Sequence, residues 1–183
     1  KTNSNHFESI YYLGTLSVQT KNFDKAEQLL LKAIEIQPNF VAAHNNLGII
    51  FNELGEHKKA KSCFQKAIQI NPNYAAAHNN LGPVFSNLGH AQKAISCYEK
   101  AIQINPNYAA AYNNLGKILG ELNHVNEAKK YFEKSLNLEP NNKKACEGYG
   151  DILLKLNQHS KAIAYIRRGT GLIQFTEKAV TII

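Results

Sequence analysis

The sequence predicts an all-α solenoid of about five stacked helix-turn-helix repeats, and three observations carry that prediction. Residues 66–82 read KAIQINPNYAAAHNNLG and residues 100–116 read KAIQINPNYAAAYNNLG, two copies 34 residues apart that differ only at His78 against Tyr112. Pro38, Pro72, Pro106 and Pro140 fall at the same interval of 34. Between the prolines, apolar and small residues recur three and four apart in two separate blocks, the spacing of one face of a helix. A fixed period of this length has to be read first, because each unit is a helix pair that cannot bury its own apolar face and must stack on its neighbours.

Counting each proline as position 32 sets the repeats at 7–40, 41–74, 75–108 and 109–142, with a degenerate terminal unit at 143–176 that lacks the proline. Residues 1–6, KTNSNH, read as a polar N-terminal tail. Residues 177–183 form a second tail within the apolar ending FTEKAVTII, suited to pack over the last helices or to lead into a following domain. Position 7 is Leu13, Leu47, Leu81, Leu115 and Tyr149, and position 8 is glycine in every repeat from Gly14 to Gly150. These share a face of the first helix, helix A, with positions 4 and 11. On the second, helix B, position 20 is Ala26, Ala60, Ala94, Ala128 and Ala162. Position 24 is Leu30, Phe64, Tyr98, Phe132 and Ile166, and position 27 is Ala33, Ala67, Ala101, Ser135 and Gly169. Small residues at 8, 20 and 27 let the paired backbones approach, and bulky ones at 4, 11 and 24 fill the space between.

The joints follow the same logic. Gly55 and Gly89, replaced by Asn123 and Asn157, stand between helices A and B, where the left-handed conformation ends a helix. Each Pro-Asn pair stops helix B and offers a cap to the next helix. Pro83, at position 9 of repeat 3, removes the bond to the carbonyl of Asn79 and predicts a kink in helix A. Ten helices and no strands are expected.

Composition narrows the function classes. No run reaches the ~18 apolar residues of a membrane span, and no signal-peptide pattern opens the chain. The chain starts at Lys1 and holds no Met, which reads as an excised module or a processed product. Residues 1–142 hold 14 Lys and 11 Asp or Glu, net +3, and residues 143–183 hold seven Lys or Arg and three Asp or Glu, net +4. That is a mildly basic body without aromatics interleaved among its cations, so no nucleic-acid partner is expected. Cys63, Cys97 and Cys146 form no CxxC and no paired framework, and read as buried thiols of a reducing, cytoplasmic compartment. His44 and His78 at position 4 read as packed rings, and His57, His90, His124 and His159, in the turns, as a surface row. There is no HExxH, nucleophile elbow, P-loop or GxGxxG, and no converging pair of carboxylates. No enzyme, metal or cofactor is expected.

The pattern of a large residue at 4, Leu-Gly at 7–8, Ala at 20, a large ring at 24, Ala at 27 and Pro at 32 resembles the tetratricopeptide repeat (TPR) family over about 170 residues. That resemblance implies a right-handed superhelix in which positions 2, 5, 6, 9, 12 and 13 of helix A face a concave groove. Position 5 carries Asn45, Asn79 and Asn113, and position 6 carries Asn46, Asn80 and Asn114. An Asn amide offers a donor and an acceptor together, matching the backbone C=O and N–H of an extended peptide whatever its side chains. The asparagines therefore form a ladder stepping by ~10 Å per repeat, the packing distance of helices. It is interrupted by Tyr12 in repeat 1 and Gly148 in repeat 5.

The ladder resembles the superhelical TPR region of O-linked N-acetylglucosamine transferases, which implies backbone clamping by Asn46, Asn80 and Asn114. Asn52, Glu53, Lys117 and Glu121 would bias the choice of side chains. The carboxylate-clamp type of TPR is rejected, because Ala42, Ala76 and Ala110 stand where its cations are needed. The reading is thus a protein–protein interaction module for an extended peptide. The alternative is the substrate-recruiting region of a larger modifying enzyme, such as a glycosyltransferase, whose catalytic domain follows Ile183. A third reading is self-association through the terminal repeats.

Overall fold

The computed structural model describes residues 2–171, 173–176 and 179–182. Ten α-helices follow in pairs among them: α1 (Thr2–Gln19) with α2 (Phe23–Ile36), α3 (Val41–Glu53) with α4 (His57–Ile70), α5 (Ala75–Asn87) with α6 (Ala91–Ile104), α7 (Ala109–Glu121) with α8 (Val125–Leu138), and α9 (Lys143–Lys155) with α10 (His159–Thr170). The protein is an all-α helical-repeat solenoid, divided into a compact unit through Ile104 and a second from Asn105. In the first unit successive pairs meet through α2 against α3 and α4 against α5, and the A helices α1, α3 and α5 touch in order. In the second, α8 meets α9 and α7 touches α9.

The core is the one the period predicts. Ala60, Phe64 and Ala67 of α4 are buried, as are Ala94, Tyr98 and Ala101 of α6 and Ala128, Phe132 and Ser135 of α8. Position 8 must be glycine where the ring at position 24 lies over it: a Cβ on Gly48 would stand 2.6 Å from the Phe64 ring. Ser135, fully buried where the first three repeats have Ala, donates from Oγ to the carbonyl of Ala109 at 2.9 Å. The hydroxyl is thereby satisfied.

The turns take the left-handed conformation at the predicted places, with φ of 75° at Gly55, 77° at Gly89, 63° at Asn123 and 58° at Asn157. Repeat 1 makes the same turn with Lys21 at φ 57°, a residue type that gives no hint of it. Helix α5 runs from Ala75 to Asn87 through Pro83 without interruption.

Three expectations need correction. The polar lead is not a separate tail, since α1 begins at Thr2, and no Pro or Gly between there and Phe7 stops the helix growing backward. The expected absence of strands fails at the C-terminal end. There β1 (Ile173–Thr176) and β2 (Ala179–Ile182) pair antiparallel, with Ile173 opposite Ile182. Gly171, at φ 68°, ends α10, and the β-branched run after it favours extended backbone. How the tail packs lies outside the described residues. Finally Leu13, at core position 7, is 43% exposed together with Tyr12 and Leu16, whereas Leu47, Leu81 and Leu115 are buried. Leu13 stands on α1, the first helix among the described residues.

Candidate functional site

The doubled asparagines divide into two kinds. Asn45, Asn79 and Asn113 are 4%, 6% and 9% exposed, so position 5 does not face a ligand as the pattern suggested. Asn45 is turned into the joint between repeats 2 and 3. Asn46, Asn80 and Asn114 at position 6 are half-buried and reach the surface of the A-helix layer. Within each pair the position-5 amide donates to its neighbour's Oδ1, at 3.4 Å from Asn45 to Asn46, 3.3 Å from Asn79 to Asn80 and 3.4 Å from Asn113 to Asn114. Between repeats 2 and 3, Asn80 Nδ2 donates to Asn45 Oδ1 at 3.1 Å. Between repeats 1 and 2, Asn46 Nδ2 donates to Thr15 Oγ1 at 3.2 Å and approaches the Tyr11 hydroxyl at 3.5 Å. In the first unit the asparagines thus form a relay of amides from one helix pair to the next, and in the second unit Asn113 and Asn114 repeat its local bond.

The other residues singled out in the sequence fall in two places. Asn52 is half-buried, with its Oδ1 3.3 Å from His57 Nδ1, and Glu53 is exposed at the end of α3. Both belong to the turn below the relay. Lys117 and Glu121 are exposed on α7, with Nζ and Oε1 3.9 Å apart, a surface pair worth little by itself. In the second unit the structure brings Asn113, Asn114 and Lys117 into one cleft of ≈ 370 Å³ with Phe132, Gly148 and Asp151. An adjoining cleft of ≈ 460 Å³ joins Lys117 and Glu121 to Ile152 and Lys155. Phe132, Asp151, Ile152 and Lys155 were not among the predicted site residues. The signal for them was Gly148, which stood only as a break in the ladder; with no side chain at position 6, the face opens down to the ring at position 24.

The remaining candidates have structural partners. His44 and His78 are half-buried rather than packed inside, and each places Nε2 on the proline carbonyl of the preceding joint, at 2.8 Å from Pro38 and 3.0 Å from Pro72. Cys146 holds the same repeat position, with its Sγ 3.9 Å from the carbonyl of Pro140. All three cysteines are free. Burial, with the Glu27 carboxylate adding at Cys63, pushes the thiols of Cys63 and Cys97 up to about 11. Among the described residues no three His, Cys, Asp or Glu side groups converge as metal ligands, and no helix is long and apolar enough to cross a membrane.

Comparison with known proteins places these observations. Models of the tetratricopeptide repeat match residues 7–40, 109–142 and 144–175, residues 41–74 and residues 63–96, and a TPR-repeat model matches 88–123. No curated protein matches the sequence. Among solved structures, PilF of Pseudomonas aeruginosa is 28% identical with a TM-score of 0.84, over 93% of this chain and 79% of that one. A thermophilic TPR protein of Thermus thermophilus is 19% identical with a TM-score of 0.80, over 90% of each protein. YrrB, described as a TPR protein with an unusual peptide-binding site, is 18% identical with a TM-score of 0.65, over 93% of this chain and 92% of that one.

Proposed function

Because the chain belongs to the tetratricopeptide repeat family, whose repeats serve protein–protein interaction, we propose that it binds an extended peptide segment of a protein partner on the A-helix face. Asn46, Asn80 and Asn114 hold the backbone of that segment. One observation carries the reading: each position-6 amide is held by the buried asparagine before it, so it is oriented before any ligand arrives. Such preorganisation lowers the ordering cost of binding. At Asn80 the relay uses one N–H and one lone pair. An amide has two of each, which leaves a donor and an acceptor for a peptide C=O and N–H. Lys117, Glu53 and Glu121 lie on exposed ends of the same helices and bias the choice of side chains.

The test is a peptide array probed with the wild type and with an Asn46/Asn80/Asn114→Ala variant. The reading requires the variant to lose its ligands while circular dichroism shows it folded. A folded variant that retains the wild-type pattern would sink it.

A further inference from the structure

In the second unit the pattern of paired amides leaves one atom unpaired. Asn45 Oδ1 accepts from Asn80, the position-6 amide of the following repeat. Asn113 holds the same repeat position as Asn45, and its following repeat has Gly148 where the donor should be. Asn113 Oδ1 is accordingly a buried side-group acceptor with no hydrogen-bond partner, the one such atom among the described residues. A native structure rarely leaves a buried acceptor unpaired, and the exceptions call for a cause. Here the residue is 9% exposed and lines the ≈ 370 Å³ cleft that opens over Gly148. Beneath Gly148 lies the Phe132 ring, so close that a Cβ added there would stand 2.6 Å from it. Repeat 3 has Asn80 at this position; repeat 5 has a slot floored by an aromatic ring.

We propose that this slot is a subsite for a primary carboxamide, the Asn or Gln side group of the bound peptide, which supplies from the ligand the rung that Gly148 omits. The inference rests on the peptide-binding reading and adds a sequence preference to it. The chemistry selects among side chains. A carboxamide donates N–H to Asn113 Oδ1, presents its carbonyl to the Lys117 ammonium on the rim, and lays its flat face on Phe132. Leu would fill the space and leave Asn113 Oδ1 unpaired. Glu brings acceptors to an acceptor. A Lys ammonium would have to shed its water for one neutral carbonyl, which costs more than it returns. Hydrogen-bonding sites discriminate most strongly against ligands that leave their buried groups unpaired.

The experiment uses an immobilised decapeptide library in which one central position is fixed as Gln, Asn, Leu, Glu or Lys and the others are mixtures. The wild type should retain the Gln or Asn pool about tenfold better than the Leu and Glu pools, the effect of one buried hydrogen bond. Asn113→Leu removes the acceptor at nearly constant volume together with the bond that orients Asn114, so it should weaken every pool and bring the amide pools down to the level of the Leu pool. Lys117→Ala, at an exposed site on the rim, is the second variant and should lower the amide pools alone. Equal binding of all pools by the wild type overturns the subsite, as does an amide preference that survives in a folded Asn113→Leu. If the Asn46/Asn80/Asn114→Ala variant loses every pool while the wild type shows no amide preference, backbone clamping stands and the subsite falls. A wild type that retains no pool removes both.

Discussion

Replacing Asn80 by Ala tests whether the asparagine relay holds the stack together. The substitution removes the donor to Asn45 Oδ1, 3.1 Å away, and the acceptor of Asn79 Nδ2, 3.3 Å away. Asn45 is 4% exposed, so water cannot replace the lost donor. Stranding a buried acceptor costs about 1–3 kcal/mol, more than the ~1 kcal/mol net value of a satisfied bond. Asn45→Leu combined with Asn80→Ala takes away the stranded acceptor as well, and the pair should couple by about 1–2 kcal/mol in a double-mutant cycle. The assay is urea denaturation followed by circular dichroism. With a slope of about 1–3 kcal/mol/M, Asn80→Ala alone should lower the midpoint by roughly 1 M, and the double variant should recover much of it. A single variant within a few tenths of a kcal/mol of wild type, or two strictly additive substitutions, would refute the relay as a structural element. The same measurement guards the binding test, because a ligand lost by an unfolding protein says nothing about its groove.

Further measurements probe other joints. Lys21 adopts the left-handed turn that glycine or asparagine makes in the other four repeats; Lys21→Gly should stabilise by about 1 kcal/mol, raising the urea midpoint. Ser135→Ala removes the 2.9 Å bond to the Ala109 carbonyl from a fully buried site and should cost about 0.5–1.5 kcal/mol by the same assay. Burial holds Cys63 and Cys97 protonated to about pH 11. Alkylation of the native protein by iodoacetamide should therefore stay slow at pH 8 and climb steeply beyond pH 9, whereas urea-unfolded protein should react at the ordinary thiol rate. The raised thiol value makes a stabilising contribution that is full below the ordinary thiol pKa and is lost as pH rises through about 11.

The helices were legible because their causes are local and repeated. Leu-Gly, Ala and a ring recur at fixed offsets, and Gly55 and Asn123 stand at the turns their backbone requires. The left-handed turn at Lys21 was illegible, since the tertiary structure imposes there a conformation the residue does not ask for. The hairpin after Gly171 was hidden because a short apolar ending carries no period to decide between helix and strand. In the site, periodicity placed the asparagines on helix A but could not rank positions 5 and 6 by exposure. Neighbours on a helix differ by ~100°, and only the angle at which the next helix pair docks decides which is covered. The Gly148 cleft was half legible: the missing rung was visible, but the ring of Phe132, sixteen residues earlier, comes beneath it only through packing.

The two uses of asparagine bear on each other. A solenoid needs polar groups at its joints to be paired, and a face that binds peptide backbone needs polar groups with capacity to spare. An amide, with two donors and two acceptor sites, can do both at once, which a hydroxyl or an ammonium cannot. At Asn80 the relay occupies one site of each kind, and the neighbour's bond would polarise the amide that the proposed reading sets against a peptide. Where the relay stops, that division fails. Asn113 gives one N–H to Asn114 and keeps an acceptor that no described residue pairs. On the proposed reading, a ligand amide placed over Gly148 would gain a bond there without displacing one, and the chemistry of a bound side group would be felt most strongly at that point.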